Sequence, residues 1–161
     1  MPIINLHTPI KANRNIVFDL SRSIDLQSKY VTASNEKAVA GRTSGLIGLN
    51  ETVTYRGKHL GVWQDLTSRV TEFDSPHFFA DEMDKGAFQS LRHEHHFIAT
   101  EEGTLMKDVF NFQSPMGILG KVANTLFLKS YMTNFLKNRN KVIKEFAESG
   151  RWKEVLQEND V

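Results

Sequence analysis

The sequence predicts an α+β fold in which a curved antiparallel sheet packs against a long C-terminal helix. Between residues 51 and 113, apolar and polar side chains mostly alternate, which is the period of β-strands. From residue 114 to 149, apolar residues instead recur in steps of three and four, which is typical of an amphipathic helix. A long meander of strands must curl because its twist accumulates, and we expect a cavity to remain between the sheet and the helix.

The first elements precede the alternating region. Residues 3–8 form a predicted short strand that ends at Pro9. Asn13 is expected to cap a first short helix, and a second short helix is predicted within residues 23–30. Residues 36–42 are predicted to form the next strand.

The alternating region contains the main part of the predicted sheet. Turns are expected at residues 57–59, 84–86 and 101–103, and Ser75-Pro76 interrupts a strand. The strands predicted here are residues 51–56, 60–73 with a bulge, 77–83, 91–100 and 105–113.

The long helix is expected to begin at Pro115, where the missing N–H costs nothing, and to end at Gly150. We therefore predict a single domain over residues 1–149, followed by a polar C-terminal tail over residues 150–161. The apolar stripe of the helix contains Ile118, Leu119, Val122, Leu126, Leu128, Met132, Phe135, Val142 and Phe146.

The composition is that of an ordinary globular protein. Apolar residues make up 40% and charged residues 24%, and the formal net charge is +1, which predicts no nucleic-acid partner. Cysteine is absent, so disulfides and thiolate metal sites are excluded. Residues 1–8 are too short and polar for a signal peptide, and no apolar run is long enough to span a membrane. These features predict a cytoplasmic protein without stable membrane insertion, and they leave its oligomeric state open.

The densest group of ionisable residues lies on the strand over residues 91–100. On this strand His93, His95 and Phe97 share one face, which we expect to point inward. If Thr104 pairs with Glu101, the next strand adds a carboxylate and two aromatic rings to the same surface. The predicted facing pairs are Phe97 with Asp108, His95 with Phe110, and His93 with Phe112.

This group has three interpretations. A His-x-His pair with an acid can bind zinc or iron, but it needs a third ligand in the right place, and the sequence predicts no metal and no cofactor. A histidine and Asp108 can instead orient the polar group of an otherwise apolar ligand. In the third interpretation the histidines are structural and are satisfied by neighbours across the sheet.

Arg139 falls within the apolar stripe of the long helix. A guanidinium in that position needs a ligand anion or a carboxylate, for which Asp108, Asp81 and Glu82 are candidates. Alternatively, Arg139 lies at the edge of the stripe and extends its head to water.

A series of short motifs runs from the predicted strand over residues 77–83 into the predicted long helix. The motifs are Phe79-x-Asp81, Gly86-x-Phe88, His93-x-His95-x-Phe97, Thr104-x-Met106-x-Asp108, Phe112, Pro115-x-Gly117 and Arg139. This series resembles one protein family, the uncharacterised bacterial ligand-binding branch of the START/polyketide-cyclase-like (SRPBCC) superfamily, and the similarity covers nearly the whole chain.

The resemblance implies the helix-grip (START-like) fold, in which a seven-stranded antiparallel sheet wraps round the C-terminal helix and two short helices follow strand 1. It implies binding or carriage of a small hydrophobic molecule, such as a lipid, isoprenoid or polyketide-like compound. Leu91 and Met83 replace an aromatic residue and a polar Gln of the family pattern, which makes the expected pocket more apolar. The expected ligand-binding residues are Tyr55, His93, His95, Phe97, Asp108, Phe110, Phe112, Met132, Phe135 and Arg139.

Two alternative functions remain. One is a cyclase- or dehydratase-type enzyme, with His93 or His95 as general acid/base and Asp108 as the orienting partner. The other is an interaction module whose pocket is filled by its own side chains.

Overall fold

A computed structural model describes residues 2–32, 35–114 and 125–156 of the chain. Its elements follow one another in the predicted order: one strand, two short helices, six strands and one long helix. Their bounds are β1 Ile3–Ile10, α1 Arg14–Ser21, α2 Ile24–Tyr30, β2 Lys37–Gly41, β3 Thr52–His59, β4 Val62–Asp74, β5 Phe78–Lys85, β6 Ser90–Thr100, β7 Gly103–Gln113, α3 Thr125–Ser149 and a final 3-10 turn Arg151–Glu154.

The seven strands form one antiparallel sheet in the order β1-β7-β6-β5-β4-β3-β2. Consecutive strands from β2 to β7 are therefore neighbours, and only β1 joins the sheet out of sequence, beside β7. The predicted bulge in β4 is confirmed by a shift in its register with β5 between Val70 and Glu72.

Local capping explains where the two short helices begin. The side chain of Asn13 accepts a hydrogen bond from the backbone N–H of Asn15, as predicted for the first cap. The hydroxyl of Ser23 accepts one from the N–H of Leu26 and starts α2.

Three predicted strand ends are wrong. β5 continues to Lys85, through two of the three residues of the turn expected at 84–86. β1 continues through Pro9 to Ile10, because β1 is an edge strand and a residue without an N–H is tolerated there. β3 continues through residues 57–59, and the turn lies instead at Leu60 and Gly61, which have φ values of 53° and 80°. Two consecutive positive φ angles suit a tight hairpin between twisted strands.

The core forms where the sheet meets α1 and α3. Phe18 of α1 is fully buried, and its ring meets those of Phe73, Phe79 and Phe97 edge-on at centroid distances of 5.2–5.6 Å. Trp152 and Leu156 pack against the same core beyond Gly150, where α3 ends as predicted. The division into a domain over residues 1–149 and a tail stays a prediction.

The buried face of α3 is rotated slightly from the predicted stripe. Leu136 and Ile143 are fully buried, whereas Phe135 and Val142 are only partly buried. Leu126 is 73% exposed, so its assignment to the stripe is wrong. The predicted helix start at Pro115, together with Ile118, Leu119 and Val122, lies outside the described residues.

Candidate functional site

A cavity of about 520 Å³ lies between the concave face of the sheet and α3. Its wall is largely apolar, with ionisable groups contributed by several elements, among them β3, β5, β6 and α3. The predicted site residues that line it are Tyr55, His93, His95, Phe110, Met132, Phe135 and Arg139.

Three predicted site residues do not line the cavity. Phe97 packs against Phe18 and Phe79 in the main core, and Phe112 packs against the rings of Phe88 and Phe110. Asp108 is completely buried behind the histidines. Direct contact between a cavity ligand and these three side chains is therefore not expected.

The predicted pairing of β6 with β7 is wrong by two residues. The observed register joins Ala99 to Thr104 rather than Glu101 to Thr104. A shift of two keeps every side chain on its predicted face but changes its partner across the ladder. The facing pairs are Phe97 with Met106, His95 with Asp108, His93 with Phe110, and Leu91 with Phe112.

Asp108 is the centre of a buried polar group. Its Oδ1 lies 2.7 Å from Nε2 of His93, and its Oδ2 accepts a hydrogen bond of 2.6 Å from Nδ2 of Asn140. Burial alone would raise the pKa of this carboxyl, but hydrogen bonding from His93 and the nearby positive charge of Arg139 hold that pKa well below its usual range. Asp108 is therefore a carboxylate at neutral pH.

Arg139 points into the protein, so the interpretation that its head reaches water is wrong. The residue is 8% exposed, and its Nη1 lies 3.6 Å from Oδ1 of Asp108. Nη2 donates to the backbone carbonyl of Ser21, and Nη1 donates to Oδ1 of Asn140. Of the carboxylates proposed as its partner, Asp108 is the one in contact.

His95 lies between two carboxylates. Its Nε2 is 3.0 Å from Oδ1 of Asp81, and its ring stacks on Phe79 with centroids 4.1 Å apart. Its Nδ1 is 3.5 Å from Oδ1 of Asp108, but this buried nitrogen forms no hydrogen bond with any residue that the structure describes. An unpaired buried nitrogen is unusual in a well-packed site.

The ionisation of this site follows from its burial. Burial, and secondarily the neighbouring His95, lower the pKa of His93 to about 4, so its imidazole is neutral at pH 7. The pKa of Asp81 is lowered although burial opposes this, because His95 hydrogen-bonds to it and His93 and Arg139 lie nearby. The cavity wall thus carries a carboxylate beside a neutral imidazole.

Asp81 is a wall residue that the sequence analysis considered only as a partner for Arg139. It belongs to β5, faces His93 across the ladder, and lines the cavity. Its motif Phe79-x-Asp81 puts it on the same strand face as Phe79, and this alternation was the available signal.

A second polar group in the wall was missed completely. His59 lies 2.8 Å from the hydroxyl of Tyr131 through Nδ1 and 3.2 Å from Oε1 of Glu36 through Nε2. Glu36 also accepts a hydrogen bond from Gln27. These residues come from four separate parts of the chain, so no spacing in the sequence could have indicated the group.

Tyr55 offers the wall a hydroxyl without a partner among the described residues. Burial, and secondarily the negative charge of Glu36, raise the pKa of this phenol. It therefore stays protonated at any physiological pH and is available as a hydrogen-bond donor.

Comparison with known proteins gives structural neighbours only. No family model matches the sequence, and no curated protein matches it. A protein of Thermus thermophilus, TTHA0849, superposes with a TM-score of 0.69 at 16% identity, covering 88% of this chain and 97% of its own. The major latex-like protein 151 of Panax ginseng superposes with a TM-score of 0.66 at 14% identity, covering 91% and 97%. A protein of Chromobacterium violaceum, CV1439, gives 0.68 at 10% identity, covering 92% and 99%.

The chain has the helix-grip fold. The predicted fold class is therefore confirmed: a curved seven-stranded antiparallel sheet, two short helices after β1, and a long C-terminal helix. At these identities the neighbours establish the fold alone. Within the described residues, no helix is both long and apolar enough to cross a membrane.

Proposed function

We propose that this protein binds or carries a small, mainly apolar molecule of the lipid, isoprenoid or polyketide type in the cavity under α3. The cavity of about 520 Å³ is the observation on which the proposal rests. Its volume falls within the range of small-molecule sites, and an apolar wall with few polar groups is their usual character. A pocket filled by its own side chains would hold only a few water molecules, which disfavours the interaction module.

The polar groups suit recognition of one polar end of such a ligand. Tyr55 supplies a hydroxyl that has no partner among the described residues, and His93, His95 and Asp81 form a polar patch in the same wall. Phe110, Met132 and Phe135 provide apolar surface for the remainder of the molecule. We therefore expect an amphipathic ligand with a single oxygen-bearing end.

The observed geometry does not favour the enzymatic alternative as it was predicted. Asp108 lies behind the wall, in contact with His93, Asn140 and Arg139. The low pKa of His93 leaves it a weak base at neutral pH. We propose no acid–base reaction by these residues.

We also infer that the chain belongs to the bacterial branch of the START/polyketide-cyclase-like superfamily and works in the cytoplasm. The motif series from Phe79 to Arg139 supports this assignment, and the shared helix-grip fold agrees with it.

Native mass spectrometry of the protein purified from bacteria tests the binding function. We expect a co-purified or added apolar ligand at one molecule per chain, in competition with the dye 1-anilinonaphthalene-8-sulfonate. Met132→Trp, which places an indole into the cavity, should reduce loading at least tenfold while the protein stays folded. Asn134→Trp adds the same ring on the exposed side of α3 and should leave loading unchanged. Absence of any ligand or dye binding by the wild type would contradict the proposal, as would equal loading of the two variants.

A further inference from the structure

Three potential metal ligands converge on the cavity wall. Asp81, His93 and His95 each place one ligand atom within 4.8 Å of the other two. All three residues line the cavity, and the two histidines are buried. The inward face of β6 alone offers only His93 and His95, and a metal site needs a third ligand. Asp81 of β5 is that third ligand.

The distance between two of these atoms suits a shared ion. Nε2 of His95 and Oδ1 of Asp81 are 3.0 Å apart. Ligand atoms at about 2.1 Å from a first-row metal lie roughly 3.0–3.4 Å from each other in octahedral or tetrahedral sites. The ligand atom of His93 lies within 4.8 Å of both, and it would have to move toward them to complete the set.

Asp108 occupies the position of an outer carboxylate. Histidines that bind metals usually donate their second ring N–H to a carboxylate or carbonyl, which fixes the ring. Nε2 of His93 is 2.7 Å from Oδ1 of Asp108, which leaves Nδ1 for a metal. His95 faces the same oxygen through its other nitrogen, Nδ1, at 3.5 Å.

The unpaired nitrogen of His95 has an explanation in this arrangement. When Nε2 binds a metal, the ring proton must be on Nδ1, where it points to Asp108. Without a metal, Nε2–H donates to Asp81 and the Nδ1 lone pair lies beside a carboxylate.

We propose that Asp81, His93 and His95 form a binding site for a divalent first-row transition-metal ion in the wall of the cavity. Two imidazoles and one carboxylate favour zinc- or iron-type ions over calcium or magnesium. Three protein ligands leave at least one coordination position open, and that position faces the cavity. A metal ion here would bind the oxygen-bearing end of the small molecule in the cavity. The metal's role therefore rests on the proposed binding function.

The test is a titration of chelator-treated, ligand-free protein with Co²⁺, followed by its visible absorption, and with Zn²⁺ by calorimetry. We expect one ion per chain with a dissociation constant in or below the micromolar range. Asp81→Asn and His95→Gln should each weaken binding at least tenfold, and Asp108→Asn should weaken it about tenfold through the loss of the outer carboxylate. His96→Gln is the matched control, since His96 lies on the opposite face of β6 beside Glu94 and should bind as the wild type does.

A second measurement uses only the wild-type protein, so its result does not depend on whether a variant folds. In protein labelled with ¹⁵N-histidine, diamagnetic Zn²⁺ should shift the ring nitrogen signals of His93 and His95 and leave those of His96 nearly unchanged. No ion bound, shifts at His96 alone, or equal affinity in wild type and Asp81→Asn would overturn the metal site. Ligand loading measured in the presence of chelator tests the cavity separately, so failure of one proposal is distinguishable from failure of the other.

Discussion

Nε2 of His93 lies 2.7 Å from Oδ1 of Asp108, with both side chains buried. Because the pKa of Asp108 is held well below its usual range, the carboxylate can only accept, and Nε2 must carry the proton. The contact therefore fixes the tautomer of His93 and leaves its Nδ1 as a lone pair. It also links β6 to β7 beneath the cavity wall, so we expect it to stabilise the fold as well as to set the protonation of His93.

Asp108→Asn tests how much this buried group stabilises the fold. The substitution keeps the shape but removes the charge that faces Arg139 and the hydrogen-bond acceptor that faces His93 or Asn140. Removal of one partner of a buried ion pair leaves the other charge uncompensated, so we expect a loss of about 3 kcal/mol in the free energy of unfolding. Urea denaturation followed by circular dichroism measures it.

Asp84→Asn is the control for that substitution. Asp84 pairs with Arg69 on the surface, 2.9 Å away, and both side chains are more than a third exposed. Solvent screens such pairs, so the unfolding midpoint should hardly change. Equal effects at Asp84 and Asp108 would show that the buried group has no special role.

The strand faces of the site could be predicted from the sequence, but its register could not. Alternation put His93 and His95 inward and Arg92 and His96 outward, as the structure shows. The pairing of β6 with β7 depends on which residues form the turn, and the turn closes at Thr100 and Gly103. An error of two residues preserves the face, so the hydrophobic pattern carries no information that would detect it.

The long-range contacts were less predictable. The steps of three and four along α3 brought Arg139 to the buried face, but its contacts there include Ser21 of α1 and Asp108 of β7, which are distant in sequence. The group around His59 joins parts of the chain whose proximity is a result of the curvature of the sheet. Local sequence patterns do not contain that curvature.

Arg139→Met tests the pairing of the guanidinium with Asp108. Methionine keeps most of the volume but leaves the carboxylate without its positive neighbour and the carbonyl of Ser21 without its donor. We expect a loss of about 2–3 kcal/mol in unfolding free energy, measured by thermal and urea denaturation. Lys141→Met, on the exposed side of the same helix, should cause little change. Wild-type stability in the Arg139 variant would refute the pairing.

The stability of the chelator-treated protein should decrease with acid. The folded pKa of His93 is about 4, below the 6.5 of an ordinary histidine, so between these values the unfolded chain binds one more proton. Stability is then present above pH 6.5 and is lost as the pH falls toward 4, with a slope of up to about 1.4 kcal/mol per pH unit. The groups that face His93 are His95, Asp81, Asp108 and Arg139, and the lowered pKa values of the two carboxyls extend the loss below pH 4.

Two histidine variants separate this contribution from the rest of the titration. His93→Gln removes the titrating ring, so the slope between pH 6.5 and 4 should decrease by most of that amount, as measured by urea denaturation at a series of pH values. His96→Gln removes an imidazole from the outer face of β6 and should retain the wild-type slope. A flat wild-type profile across this range would show that His93 is charged in the folded protein.

The turn between β6 and β7 requires glycine at position 103 for two reasons that can be separated by experiment. Gly103 has a φ of 151°, and a Cβ there would overlap the carbonyl oxygen of Ile10 and lie 2.7 Å from the amide nitrogen of Ala12. Gly61 also has a positive φ, 80°, but a Cβ would meet nothing within 4 Å.

Gly61→Ala should therefore cost only about 1 kcal/mol of left-handed strain. Gly103→Ala should cost about 3 kcal/mol or more, since β1 would have to move away from the hairpin. Thermal denaturation of the two variants compares them directly, and a similar loss in both would show that strand β1 does not approach the turn as closely as the structure indicates.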